Sequence, residues 1–459
     1  MYDLLIRNGT VITHAQRFAA DVAVQDGKVA ALLRPGTPAE ARTVVDAAGK
    51  YVLPGAIDLH THLDLPFGGT FSADDYESGT RSAVCGGTTT VFDYATPDNP
   101  DEPLADFIAR RRAMADPQVC TDYAFHLVLN HPCDAVLDQL QGIVDNGISS
   151  FKVYTVYDGL MVDDGFFVRL LEKTKEVGGL VCVHAENKDI IDMYVNRYKA
   201  EGKLSPWWHY MSRREFIEAE ADKRCIHWAK HVDAPLYIVH LANKEGVEEL
   251  AKAREEGFDI LAETNALYLR YNCEVYHRDD ARNFVCSPPI KNEESRLALW
   301  DAIGSGVIDT VATDHCPFQQ HEKDWGLHDF TKIPNGCDGV ETRYPYLLSE
   351  ANRGHITFEK AVEVCCTNPA RLFGCAPQKG TIAVGGDADL VIYDPEKDVT
   401  VTNDALHSKI DHTVWEGTEL HGYPVMTFSR GTLVYQDGEF LGKPGYGRYI
   451  KRAPYQSHR

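Results

Sequence analysis

The sequence predicts an α/β protein, a (β/α)8 TIM barrel with a small β-sandwich domain formed by both termini. Three observations carry that expectation. Short apolar runs recur through the middle of the chain, separated by stretches of helical period. Both ends read instead as brief strands broken by Asn-Gly, Asp-Gly and Arg-Gly pairs. Histidine, lysine and aspartate fall near the C-terminal halves of the apolar runs, on the rim where barrel enzymes place their sites.

The N-terminal fifty residues supply two turn signals. Residues 2–7 and 10–13 flank Asn8-Gly9, and residues 21–25 and 28–32 flank Asp26-Gly27, so a hairpin is expected at each. The apolar runs then follow at 51–58, 88–93, 123–129, 149–157, 180–185, 235–241, 259–264 and 309–314. Between them lie helical patterns such as 212–232. There Ser212 and Glu215 are spaced as a capping box, and Phe216, Ala219, Cys225, Ile226 and Ala229 supply an apolar face. Strand vocabulary returns at 388–393, and again as a meander at 426–441 through Arg430-Gly431 and Asp437-Gly438. Each terminal piece alone buries little, so the two are expected to pair. The predicted divisions are 1–50 and 376–459 for the β-sandwich and 51–375 for the barrel.

Lysine and arginine number 46 against 68 acidic residues, a net charge of −22. Such a surface repels nucleic-acid phosphates and anionic lipid, so neither is expected as a partner. No run of about 18 apolar residues is present to span a membrane. The first residues lack the pattern of a signal peptide, which predicts a cytoplasmic chain. The 12 cysteines contain no Cys-x-x-Cys pair, and Cys365 and Cys366 are adjacent, so they read as small buried hydrophobes.

The candidate chemistry begins at His60-Thr61-His62. On an extended segment side chains alternate, so both imidazoles face one way and together suit a divalent ion. That pair alone is weak evidence. Lys152, His184, His240 and Asp314 strengthen it, because each lies near the C-terminal half of a different run. Lysine and aspartate are rarely buried unless paired or metal-bound. His227 and His231 have a metal-compatible i, i+4 spacing, but no glutamate follows His227 and Lys230 lies beside them, so they read as helix-surface residues.

These segments resemble the dihydropyrimidinases and D-hydantoinases of the amidohydrolase superfamily. The likeness runs through His60-Thr61-His62-Leu63-Asp64-Leu65-Pro66-Phe67-Gly68-Gly69-Thr70 and Gly86-Gly87-Thr88-Thr89-Thr90. It continues through Ser150-Phe151-Lys152-Val153-Tyr154, Tyr237-Ile238-Val239-His240-Leu241 and Cys286-Ser287-Pro288-Pro289. Further on come Ala312-Thr313-Asp314-His315-Cys316-Pro317-Phe318, Pro334-Asn335-Gly336, Gln378-Lys379-Gly380 and Gly386-Asp387-Ala388-Asp389-Leu390. The resemblance implies two divalent metal ions per subunit, usually zinc. It gives His60, His62 and Asp314 to one ion and His184 and His240 to the other, with carboxylated Lys152 bridging them. It also implies that Tyr157 hydrogen-bonds the substrate carbonyl and that backbone groups of Ser287 and Asn335 hold the ring amide. Relatives are mostly homotetramers. One departure stands at Glu263-Thr264-Asn265-Ala266, where relatives commonly carry Cys-Pro after Glu-Thr.

The implied activity is hydrolytic opening of 5,6-dihydropyrimidines or 5-substituted hydantoins to N-carbamoyl amino acids, with Asp314 moving the proton. Dihydroorotases usually carry an arginine where this chain has Asp64, which would repel an orotate carboxylate. An allantoinase-like hydrolase is an alternative, although Leu65-Pro66-Phe67-Gly68-Gly69-Thr70 favours the hydantoinase side. Collapsin response mediator proteins share much of this sequence as non-catalytic scaffolds but have lost metal ligands. All six ligand positions are kept here.

Overall fold

Strands rich in β-branched and aromatic residues, with no polar alternation, need cover on both faces. The computed structural model, which describes residues 1–457, gives them that cover in a (β/α)8 barrel. The barrel strands are Ala56–Thr61, Thr88–Ala95, Asp122–Val128, Ser150–Tyr154, Leu180–His184, Leu236–Ile238, Ile260–Asn265 and Thr310–Ala312. Each runs parallel to the next in chain order. The ring closes just beyond the eighth strand, where His315 N–H donates to His60 O at 3.2 Å and His62 N–H to His315 O at 2.9 Å.

The terminal segments form two further large sheets, besides a two-stranded pair of Val399–Thr400 and Glu419–Leu420. One has seven strands and joins the chain start (Thr10–Ile12, Arg17–Ala19, Tyr51–Pro54) to the late strands Leu390–Asp394, Tyr423–Ser429, Thr432–Gln436 and Glu439–Phe440. The other has four, Tyr2–Arg7, Asp21–Gln25, Lys28–Leu33 and Ala41–Asp46. Leu4, Ile6, Val22 and Val24 of the second pack with Val52, Leu390, Ile392 and Phe428 of the first in one buried cluster. That is the sandwich expected from both ends.

Three local expectations are corrected. The run 51–58 is two strands that belong to different sheets, Tyr51–Pro54 and Ala56–Thr61. Gly55 makes the break, and a Cβ there would stand 2.2 Å from Thr89 Oγ1. Asn8-Gly9 closes no hairpin. Its flanking strands enter separate sheets, with Asn8 at φ 63° turning the corner. The Asp26-Gly27, Arg430-Gly431 and Asp437-Gly438 turns do join antiparallel neighbours. Lastly, Ser212 does not cap the helix Glu215–Val232. Its hydroxyl donates to His209 O at 2.8 Å, while Glu215 accepts from Tyr210 OH and Asn292 N–H. Cys225, Ile226 and Ala229 face inward as expected, whereas Phe216 is exposed.

The C-terminal segment runs beneath the barrel, under the N-terminal ends of strands three to five. Gly447 N–H donates to Val119 O (3.0 Å), Ile450 to Tyr123 O (2.7 Å), Arg452 to Gly147 O (3.1 Å) and Tyr455 to Gly178 O (2.8 Å). The buried Arg452 guanidinium enters the floor and reaches Phe125 O at 2.5 Å and Ser150 Oγ at 2.9 Å. Beside it Lys379 ties Asp122 (2.6 Å) to Asp387 (3.0 Å) and Asp389 (2.7 Å), and Arg430 pairs with Asp122. Among the described residues all twelve cysteines are free, and no helix is long and apolar enough to cross a membrane.

Candidate active site

The first strand ends at His60-Thr61, and the extended chain carries His62 two positions on. Period-two geometry brings both rings to the same carboxylate. His60 Nε2 lies 3.2 Å and His62 Nε2 3.0 Å from Asp314 Oδ1. Asp314 follows the eighth strand, His184 ends the fifth, and His240 lies two residues beyond the sixth. The His240 ring stands 5.2 Å from that of His60 and 4.5 Å from that of His184, centroid to centroid. Ligand-capable atoms of His60, His240 and Asp314 lie within 4.8 Å of one another.

Lys152, on the fourth strand, is fully buried. Its Nζ lies 4.7 Å from the centroid of Tyr94 and 5.1 Å from that of Tyr154, and no described carboxylate is within ion-pair distance. Burial lowers its pKa to about 8, with Asp314 and Glu263 pulling the other way. Burial also holds His60 and His240 well below the usual imidazole value, so both present neutral nitrogens. Burial would raise Asp314, but His60, His62 and Lys152 outweigh it and bring the carboxyl to about 2. Neutral imidazoles, a carboxylate and a lysine that loses its proton easily form a donor set suited to divalent cations. His240 Nδ1, buried without a hydrogen-bond partner among the described residues, fits the same use.

Two further triplets have ligand-like spacing, Cys85/Glu341/His407 and Asp122/Asp387/Asp389. Both are already accounted for. Glu341 pairs with His407, and the three aspartates surround Lys379.

A cavity opens over the six residues and also reaches Tyr157, Ser287 and Asn335. Every candidate named from the sequence therefore meets in one place. Tyr157 sits beyond the fourth strand at φ 74°, and His240 and Asp314 also have positive φ, at 38° and 52°. Left-handed backbone at non-glycine residues costs energy and gathers at functional sites. Burial pushes the Tyr157 hydroxyl up to about 12, although the nearby Arg213 opposes it, so it stays a donor at neutral pH. Asn335 Nδ2 donates to Ser287 Oγ at 2.9 Å, joining the two loops at the far wall. Leu65, Phe67 and Leu160 give the mouth an apolar lining.

Several supporting residues escaped the sequence reading. Glu263 meets His60 Nδ1 and accepts from Tyr237 OH (3.0 Å) and His240 N–H (3.1 Å). Glu186 lies 2.9 Å from His184 Nε2 and takes a 2.5 Å bond from Arg213. Such carboxylates fix the orientation of a ligand imidazole. Glu263 lies late in its run, the same signal that marked the histidines. Arg213 lies between two helices and gave none. The departure at Asn265 is local. Its side chain donates to Thr313 O at 2.6 Å and caps Leu267 N–H at 2.9 Å, starting the short helix Ala266–Arg270. From that helix Tyr268 OH donates to Pro288 O at 2.7 Å, next to Ser287.

A barrel hydrolase, with its histidine-bearing pocket on the C-terminal rim, is the class that fold and site define. Residues 51–434 match the model of the Amidohydrolase family, and the chain belongs to that family. A D-hydantoinase of Ralstonia pickettii is 40% identical over 99% of this chain and 100% of its own length. A dihydropyrimidinase of Rattus norvegicus is 38% identical over 98% of this chain and 89% of its own. The crystal structure of a dihydropyrimidinase from Brevibacillus agri superposes with a TM-score of 0.96 at 40% identity, covering 98% of this chain and 99% of that one.

Proposed function

We propose that this chain hydrolyses the ring amide of 5,6-dihydropyrimidines and 5-substituted hydantoins, releasing N-carbamoyl amino acids. The observation that carries the reading is the meeting of His60, His62, Lys152, His184, His240 and Asp314 at the floor of one cavity. An intact donor set supports an enzyme over a scaffold. In this reading His60, His62 and Asp314 would hold one divalent ion and His184 and His240 a second, zinc by family resemblance. Lys152 would join the donor set as its carbamate, because an ammonium would be repelled by divalent cations whereas a carbamate offers anionic oxygens. Divalent cations supply Lewis acidity there, lowering the pKa of water and polarising a carbonyl oxygen.

The chain's own groups do the rest. Backbone groups of Ser287 and Asn335 seat the ring amide against the wall that their mutual hydrogen bond holds. The Tyr157 hydroxyl donates to the carbonyl oxygen as negative charge develops on it. Asp314 takes a proton from the attacking water and delivers it to the ring nitrogen as the C–N bond breaks. Leu65 and Phe67 line the entrance and limit bulk water. By the same resemblance we propose a cytoplasmic homotetramer, which sedimentation and cell fractionation test.

The deciding experiment compares kcat/KM for dihydrouracil, hydantoin, 5-phenylhydantoin and allantoin, with and without chelator. Turnover of the first three that chelation abolishes and zinc restores is expected. Preference for allantoin, or full activity in metal-free protein, overturns the reading.

A further inference from the structure

Lys323 is a buried cation. It is 1% exposed, and among the described residues no carboxylate lies within ion-pair distance. Its ammonium donates instead to three carbonyls, Val285 O at 3.1 Å, Pro334 O at 2.9 Å and Gly336 O at 2.6 Å. Burying an ammonium is costly, so its three donors are fully used here.

The three carbonyls belong to two loops. Val285 lies two residues before Ser287, while Pro334 and Gly336 flank Asn335. The loops also join directly through Gly336 N–H to Val285 O at 2.9 Å. Little slack remains at that junction. Gly336 has φ 150°, and a Cβ there would stand 2.1 Å from Cys316 O. The short helix Gln320–Lys323 that carries the lysine also steadies the mouth, since Glu322 meets Thr70 Oγ1 on the hairpin that carries Phe67.

We infer that Lys323 is a positioning residue, setting the spacing of the two loops that receive the ring amide. The inference rests on the reading of Ser287 and Asn335 given above. Without the ammonium, Pro334 O and Gly336 O lose their buried donor, Val285 O keeps only the Gly336 N–H, and the loops separate. A ring seated on both loops then loses contacts made alike in the ground and transition states. KM rises while kcat changes less.

The test measures kcat, KM, bound metal and Tm for the metal-containing wild type, Lys323→Met and Lys323→Gln, with dihydrouracil as substrate. The expected result is a KM raised about tenfold or more in Lys323→Met, from misplacement of the ring. Lys323→Gln, which keeps amide donors, should fall between it and the wild type. Bound metal should be unchanged. Should Lys323→Met fail to fold, a raised KM in Lys323→Gln supports the inference by itself. A folded variant with lowered Tm and wild-type KM overturns it, since a merely structural lysine would do that. Loss of bound metal also overturns it. A wild type that opens none of the rings in the panel overturns the substrate reading instead, and the inference with it.

Discussion

Glu263, on the seventh barrel strand, holds Nδ1 of His60 on the first, and the same carboxylate oxygen accepts the backbone N–H of His240 at 3.1 Å. One carboxylate thus orients residues proposed to serve different ions. Burial raises its pKa to about 7, with the nearby Lys152 opposing.

Glu263→Gln keeps the shape and removes the charge behind His60. Metal affinity should fall by about 10–100-fold, the usual cost of losing such a support. Competition with a chelating dye measures it. Unaltered affinity would show that His60 is oriented without its carboxylate.

Lys152→Ala should leave a folded barrel with no measurable turnover, because the shared anion is gone. Lys152→Arg should do no better, since guanidinium stays cationic and forms no carbamate. Native mass spectrometry should find one carboxyl group added at Lys152, lost on acid treatment. An active enzyme without that mass would mean another bridge.

Tyr157→Phe preserves the ring and removes one donor. Loss of a donor to a developing oxyanion typically costs ~10²–10³ in kcat, about 2.7–4 kcal/mol. KM should change less, and bound metal should remain normal. An unchanged kcat would return Tyr157 to a packing role.

His407, away from the cavity, carries a pH prediction. Its Nδ1 lies 2.8 Å from Glu341 Oε1, and that bond raises its pKa above 6.5 while burial and Arg81 work against it. A raised folded-state value gives stability that is complete below the unfolded pKa and lost as pH rises through the folded one. The Tm difference between wild type and His407→Gln should therefore be larger near about pH 5.5 than near about pH 9. A pH-independent difference would show that the imidazole carries no extra proton in the fold.

The barrel and its donor set were legible because both rest on local regularities. Period-two alternation carried His60 and His62 to one face, and the ends of buried runs marked His184, His240 and Asp314, with Lys152 at the middle of the strand Ser150–Tyr154. What stayed hidden depends on partners distant in sequence. Asn8-Gly9 has ideal turn chemistry, yet which sheet each flanking strand enters is decided by residues such as Val24 and Val52. Ser212 and Glu215 have the spacing of a capping box, but His209, Tyr210 and Asn292 hold them. Lys323 ends a four-residue helix, too short for periodicity to mark a buried side chain.

The strap beneath the barrel orders events during synthesis. Strand eight ends at Ala312, but the floor under strands three to five waits for residues 447–455. At ~5–20 residues per second the ribosome needs roughly 7–30 s to make that stretch. Throughout that interval Phe125 O and Ser150 Oγ lack Arg452, and the strand bearing Lys152 is open from below. The nascent chain thus carries an unfinished barrel floor until residues 447–455 have been made.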